Sequence, residues 1–421
     1  MPSHQSPPVA RVAAAGRVAL ACASMLIAVA PRRAIAQQPG SVPTISRDSS
    51  VAIALAHGSR AALAGATARS AAARVRAAGA FANPLLSATY SKAVPQYHAI
   101  IELPLDFVTM RGPRVAAARS ASEAAQLRLA YERAAIRLDV DTSYTIAAAS
   151  RARAVLSLRN AVDAESLLTI AGVRRTAGDA SDLDVDVARI NAGRARNAAS
   201  ADSMTAVAAL LELQQALGFP AAEPAIALGD TLGVPGDDTL ATPDSGMALP
   251  VAAAQQDLRS AEQTLALERR GIWSGLALQA GIENHDPTGS ETGILPTFGV
   301  SVPLPLFNQG QGSIAVAAAD RDRAKVEVAA AQRESAALSA RAHRNLAAAR
   351  ARVTRDRELV ATADRVARLS LRAYAEGAYP LTTVLEAQRN ARDALAELID
   401  DLVAANTASA ALRLYAGTTI P

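Results

Sequence analysis

The chain has 421 residues, half of them apolar but only 3% aromatic, so small aliphatic side chains carry the apolar count and a thick aromatic core is excluded. Its formal charge of +4 is accounted for by Arg11, Arg17, Arg32 and Arg33 at the N-terminus, and the neutral remainder argues against nucleic-acid binding. Cys22 is the sole cysteine, so no internal disulfide can form, and His4, His57, His98, His285 and His343 show no metal-ligand spacing, so no cofactor is expected.

Residues 1–36 read as a secretory signal. Arg11 and Arg17 precede the apolar run Val18–Ala30, which is too short to span a bilayer, and Ala34-Ile35-Ala36 fits a cleavage site. Cys22 lies inside that run in a poor lipobox. Residues 37–46 form a Pro/Ser/Gln linker expected to lack order. Asp48 or Ser49 is expected to cap a helix reaching Ala80, which Asn83-Pro84 closes off. Two runs of period two follow. Leu86, Ala88 and Tyr90 share one face of the first, and Tyr97, Ala99, Ile101 and Leu103 alternate with His98 and Glu102 in the second, a strand hairpin. Arg114–Ala171 then runs without Gly or Pro, a helix of roughly 87 Å. Leu127, Tyr131, Ala134 and Leu138 mark a packing seam on it, and Gly172 and Gly178 are expected to break it. An arm over Asp182–Leu217 turns back.

The second half repeats the plan. After an irregular connector (219–246) comes a helix from Leu249 to Arg270. Next is a strand with Leu276, Leu278, Ala280 and Ile282 on one face, then a polar loop, Asn284–Thr292. A strand with Phe298, Val300 and Val302 on one face follows. The rod Ser313–Glu376, roughly 96 Å long, and a return arm Leu381–Tyr415 complete it. Pro104 and Pro303, Gly178 and Gly377, Asn191 and Asn390, and Gly218 and Gly417 all stand at one constant spacing. The chain is therefore a tandem duplication: first repeat 47–218, second repeat 247–417, tail 418–421.

Rods of this length cannot be buried in a compact domain and must lie along one another. The strands alternate apolar with polar, as a membrane strand with one face on lipid and one on water does. Hydrocarbon tolerates no open sheet edge, and four strands cannot close a barrel. Three chains bring the count to twelve, within the range of membrane barrels that begins at about eight. The expected fold class is mainly α with a transmembrane β portion: duplicated helical hairpins in a trimeric α-barrel, and a 12-stranded trimeric β-barrel.

These features resemble the outer-membrane efflux protein family of the TolC type. The resemblance is carried by Asn83-Pro84, by Val302-Pro303-Leu304-Pro305-Leu306-Phe307, by Tyr374-Ala375-Glu376-Gly377 and by Val384-Leu385-Glu386-Ala387-Gln388. Gly178 and Asp184-Val185-Asp186-Val187-Ala188-Arg189 echo the last motif in the first repeat. The resemblance implies a homotrimeric channel in the cell outer membrane, with its helical part in the periplasm. It would export small molecules passively in a tripartite efflux or type I secretion system, energised by an inner-membrane pump through a periplasmic adaptor. It implies no enzymatic activity, and the sequence holds no nucleophile motif or phosphate loop. The alternative is a periplasmic coiled-coil adaptor or scaffold without channel activity.

The resemblance also implies site residues. At the pore constriction, Glu386 fits one position of an acidic ring, and Thr383 stands where an acid is often found. Asp184 and Tyr374 match positions that hold the tip closed, while Tyr379 replaces a basic partner of that lock. The tip turns at Gly178, Asp179, Gly377 and Tyr379 would dock the adaptor. Leu86, Tyr90, Tyr97, Ile101, Leu276, Leu278, Phe298 and Val300 would belong to the membrane strands. Independently of any relative, three copies of Glu386 around a narrow axis would focus a negative field that attracts cations.

Overall fold

The computed structural model describes residues 42–93, 95–236, 247–271, 274–284 and 293–415. The signal segment with Cys22, residues 37–41 of the linker, residues 237–246 of the connector, the polar loop from residue 285 to 292, Gly417 and the tail lie outside the described residues.

Two helices dominate, α4 (Arg111–Thr176) and α7 (Gln311–Ala375), each roughly 98 Å long at about 1.5 Å per residue. Both begin a little earlier than the stretches free of Gly and Pro. Gly112 and Pro113 sit in the first turn of α4 and Gly312 in that of α7. There the backbone N–H groups lack intrahelical partners in any case, so these residues cost little. Gly172 does not break α4. A helical glycine costs about 1 kcal/mol, which the burial of neighbouring Leu167, worth about 1.5–3 kcal/mol, outweighs.

Each rod folds back on a shorter arm, α5 (Asp182–Ala216) after α4 and α8 (Leu381–Tyr415) after α7. The remaining helices are α1 (Arg47–His57), α2 (Ser59–Gly79), α3 (Asp106–Thr109) and α6 (Leu249–Arg269). The expected single helix to Ala80 is thus two. Gly58 separates them in an extended conformation, so close to the preceding turn that a Cβ would lie 2.3 Å from the Ala54 carbonyl oxygen. The N-cap is Ser46 rather than Asp48 or Ser49, its hydroxyl accepting from the Ser49 N–H at 3.3 Å.

Packing places the helices in a row. α2 and α5 lie against α4, and α6 and α8 lie between α4 and α7. The buried positions of α4 are dominated by small residues, among them Ala124, Ala147, Ala148, Ala161, Ala164 and Ala171, which let axes approach closely. The anticipated seam Leu127, Tyr131, Ala134 and Leu138 is only half-buried; Ile136, Val140 and Tyr144 are the buried line. Exposed apolar residues remain on both outer members of the row: Leu183, Ile190 and Met204 on α5, and Leu359, Val366 and Leu369 on α7.

Midway along α4 the row is girdled. β1 (Thr44–Ile45) pairs in parallel with β4 (Ala227–Leu228) over a core that includes Val140, Tyr144 and Leu213. The described end of the expected linker is therefore tied down. The Tyr144 hydroxyl donates to the Ile45 carbonyl at 3.1 Å and accepts from the Asp230 N–H at 3.0 Å. Arg47 reaches Asn406 of α8 at 3.1 Å, and Asn406 donates to the Gly233 carbonyl at 2.7 Å. The connector thus bridges both repeats.

At one end of the rods stands a four-stranded antiparallel sheet in the order β2-β3-β5-β6: β2 (Leu85–Tyr90), β3 (Tyr97–Pro104), β5 (Ala277–Asn284) and β6 (Leu295–Ser301). Each repeat supplies one hairpin. The β3–β5 pairing, from Tyr97↔Asn284 to Pro104↔Ala277, joins them.

Candidate functional site

The sheet's register sorts its side chains. Leu86, Ile101, Ala280 and Phe298 lie in one cross-strand row, and Leu103, Leu278 and Val300 in the next. All of these are on one face, and that face is the exposed one, with Phe298 82% accessible. Tyr90 and Tyr97 end it as a cross-strand pair with ring centroids 5.2 Å apart. Leu276 falls just before β5, where its carbonyl accepts from the Leu105 N–H at 2.8 Å.

The opposite face carries His98, Glu102, Gln279, Gly281, Glu283, Thr297, Gly299 and Ser301, all of them half-buried. His98 Nδ1 lies 3.5 Å from Glu283 Oε1, and Gln279 Nε2 donates to Glu102 Oε2 at 3.2 Å. The sheet is therefore inside out: it shelters its ionisable groups and presents its apolar ones. A sheet half-covered by a soluble core does the reverse.

At the far end of the rods the two hairpin turns are copies at backbone level. Gly178 (φ +89°) and Gly377 (φ +82°) occupy the left-handed region that glycine enters without strain. Asp179 N–H donates to the Arg174 carbonyl and Gly178 N–H to that of Arg175. Ala378 N–H donates to Ala373 and Gly377 N–H to Tyr374 in the same pattern. Beneath the turns Leu167, Ala171, Ala188, Tyr374, Leu381 and Val384 form one core from all four helices.

Tyr374 is 2% exposed, and its hydroxyl has no hydrogen-bond partner among the described residues. The Arg174 guanidinium stacks over its ring at 4.6 Å, donates to the Tyr374 carbonyl at 2.9 Å and to the Asp179 carbonyl at 3.0 Å. One side chain thus ties the two turns together. Burial pushes the Tyr374 phenol above its ordinary value, with Asp184 adding to the shift and Arg174 opposing it.

Asp184 is committed to a capping box: Ser181 Oγ accepts from the Asp184 N–H at 3.1 Å, and Asp184 Oδ2 accepts from the Ser181 N–H at 3.1 Å. Asp182 pairs with Arg175, and Asp186 with Arg189. Glu386 is exposed one turn beyond half-buried Thr383 and has no ion pair among the described residues. Asp179 and Tyr379 are exposed on the turns.

Sequence reasoning missed the reach of Arg174 to Tyr374. Its signal was the repeat itself, because Arg174 stands where the second copy has Ala373. The cation meeting Tyr374 comes from the other hairpin instead of from the position of Tyr379. The polar cluster around Glu102 was visible only as alternation, without its partners.

Duplicated long helical hairpins, a mid-length girdle and a terminal sheet with an exposed apolar face make up this fold. Residues 248–418 match the family model described as outer membrane efflux protein, bearing out the resemblance read from the motifs of the second repeat. The solved structure of CusC superposes with a TM-score of 0.73 at 15% identity, covering 89% of this chain and 92% of its own. VceC of Vibrio cholerae superposes with a TM-score of 0.71 at 17% identity over 88% and 96% of the two chains. A membrane protein from Pseudomonas aeruginosa gives 0.73 at 18% identity over 88% and 93%. No curated protein matches the chain by sequence.

Proposed function

We infer that three copies of this chain form a channel in the outer membrane, with the sheet in the bilayer and the helices in the periplasm. The inside-out sheet carries this reading. Phe298, Val300, Leu278, Ile101 and Leu86 would face lipid, while His98, Glu102 and Glu283 would face a water-filled lumen. The free edges β2 and β6 would pair with neighbouring copies and leave no strand open in hydrocarbon. The outer apolar lines of α5 and α7 would meet across the same interfaces.

Such a channel has no energy source and moves its cargo passively. An inner-membrane pump working through a periplasmic adaptor would supply the drive, and the adaptor would dock on the turns at Gly178, Asp179, Gly377 and Tyr379. Those turns expose backbone and polar side chains at the end of a rigid bundle, where partner contact is cheapest. Glu386, without an ion pair among the described residues and one turn beyond Thr383, would form the acidic ring of the constriction. Asp184 and Tyr374 would hold the closed tip through the cap and the Arg174 stack respectively.

Membrane fractionation and planar-bilayer conductance test the reading. The expected result is an outer-membrane trimer that dissociates on heating, conducts ions and prefers cations, with the preference reduced in Glu386→Gln. A mature protein that is monomeric without detergent and conducts nothing would replace the channel with a periplasmic scaffold. Unchanged selectivity in Glu386→Gln would remove the acidic ring alone.

A further inference from the structure

We propose that the junction between sheet and rods is a lipid-recognition collar, in which Arg74, Arg76, Arg269 and Arg270 hold the phosphate groups of anionic phospholipids. The inference rests on the channel reading. It is carried by the level at which the exposed apolar face ends and by an excess of unpaired cations at that level.

The apolar face outruns the sheet. β6 covers about 20 Å along its length and about 15 Å in height at the usual tilt of membrane strands, short of the apolar band of about 25 Å that such barrels carry. Past Ser301 the same alternation continues through exposed Val302 and Leu304, with Pro303 and Pro305 keeping the chain extended. Leu295 to Leu304 spans about 30 Å of chain, or about 23 Å in height. There the chain turns, the Leu306 N–H donating to the Leu304 carbonyl at 2.8 Å, and Phe307 stands 96% exposed just before α7. The first repeat does the same, with Phe107 and Val108 exposed just before α4. The hydrocarbon level therefore ends where the helices begin.

Cations dominate that level. Within about 10 Å of rod, the sheet-side ends of α2, α4 and α6 carry Arg74, Arg76, Arg111, Arg114, Arg269 and Arg270, against Glu268 and, in the short α3, Asp106. Asp106 is neutralised by Arg114 at 3.1 Å. Arg111 and Arg114 also close the C-terminus of α2, donating to the Gly79 carbonyl at 2.9 Å and to the Ala78 and Ala80 carbonyls at 2.9 and 3.2 Å. That leaves Arg74, Arg76, Arg269 and Arg270, all exposed and without an ion pair among the described residues. Glu102, nearest on the sheet, lies on the sheltered face and is held by Gln279 at 3.2 Å. α7 has no charged side chain before Asp320, so the α7 edge of a neighbouring copy brings no acid to this level. Threefold repetition closes the four arginines into a positive ring directly below an apolar band. A layer of lipid phosphates beneath hydrocarbon complements that arrangement. Arginine suits it, because its planar guanidinium grips phosphate through two hydrogen bonds while its methylene stem lies on apolar surface.

The experiment reconstitutes the purified trimer in phosphatidylcholine vesicles and measures by electron spin resonance how much lipid it immobilises, with spin-labelled phosphatidylglycerol or spin-labelled phosphatidylcholine as the probe. The wild type is expected to favour phosphatidylglycerol by about threefold or more at low salt, and by less as salt is raised. The quadruple variant Arg74→Gln/Arg76→Gln/Arg269→Gln/Arg270→Gln should immobilise both probes equally, whereas lysine at the same four positions should keep a preference. If the quadruple variant fails to assemble, the pairs Arg74→Gln/Arg76→Gln and Arg269→Gln/Arg270→Gln should each lower the preference. A wild-type trimer that immobilises both probes alike, or a glutamine variant that keeps the full preference, overturns this inference and leaves the channel reading intact. So does a quadruple variant whose ion selectivity changes in a planar bilayer while its lipid preference stays, because the arginines would then line the lumen. A chain that neither enters vesicles nor conducts overturns both.

Discussion

The two ends of the molecule bury opposite chemistry. At the helical tip Leu167, Tyr374, Leu381 and Val384 are inside, and the charged groups Asp182, Asp186 and Glu386 are outside. At the sheet Phe298, Val300 and Leu278 are outside, and His98, Glu102 and Glu283 are sheltered. One chain would not obey two burial rules in one solvent. The contrast is the one expected of a sheet that faces hydrocarbon and a tip that faces water.

The contrast can be broken from either end. Leu167 is fully buried in the tip core, so Leu167→Ala should cost about 2–5 kcal/mol and lower the thermal midpoint of the helical circular dichroism. The equivalent insult at the sheet is addition of charge. Phe298→Arg on the exposed face should cost about 2–4 kcal/mol per chain near the bilayer centre and deplete the outer-membrane trimer. Thr297→Arg, one residue away on the sheltered face, should assemble normally and shift ion selectivity toward anions. If both arginines were equally tolerated, the sheet would not face lipid.

The smallest effect sharpens the helical side. Asp356 is a buried carboxyl on α7 whose Oδ2 has no hydrogen-bond partner among the described residues. Burial, with the neighbouring Asp401 carboxyl adding to it, pushes its pKa above the usual carboxylate range, while Arg352 donates to Asp401 at 2.7 Å. A raised folded-state value means that protonation stabilises the fold. The contribution is complete below the ordinary carboxylate value of about 4 and is lost as pH rises through the raised one. Asp356→Asn should therefore raise the melting temperature at neutral pH, with the gain shrinking as the buffer is acidified. A gain that grows on acidification would reverse the assignment.

Much of this was legible locally. The absence of Gly and Pro marked both rods to within a few residues, the return arm over Leu381–Tyr415 matched in full, and period-two alternation located all four strands. Gly58 was not legible as a break, because its effect depends on the Ala54 carbonyl beside it. Gly172 was wrongly expected to break α4, because a helix supported by tertiary packing absorbs the cost of one glycine.

The sequence by itself determined the duplication, the lengths of the helices and the two-faced character of the strands, because each follows from backbone freedom and side-chain period within a few residues. The tertiary structure alone decided which strand face is sheltered, that β3 meets β5 across the repeats, and that Asp184 serves a cap. It alone also decided that Arg174 reaches Tyr374 on the other hairpin. Burial and pairing are properties of neighbours, and these neighbours lie too far apart along the chain for any local pattern to name them.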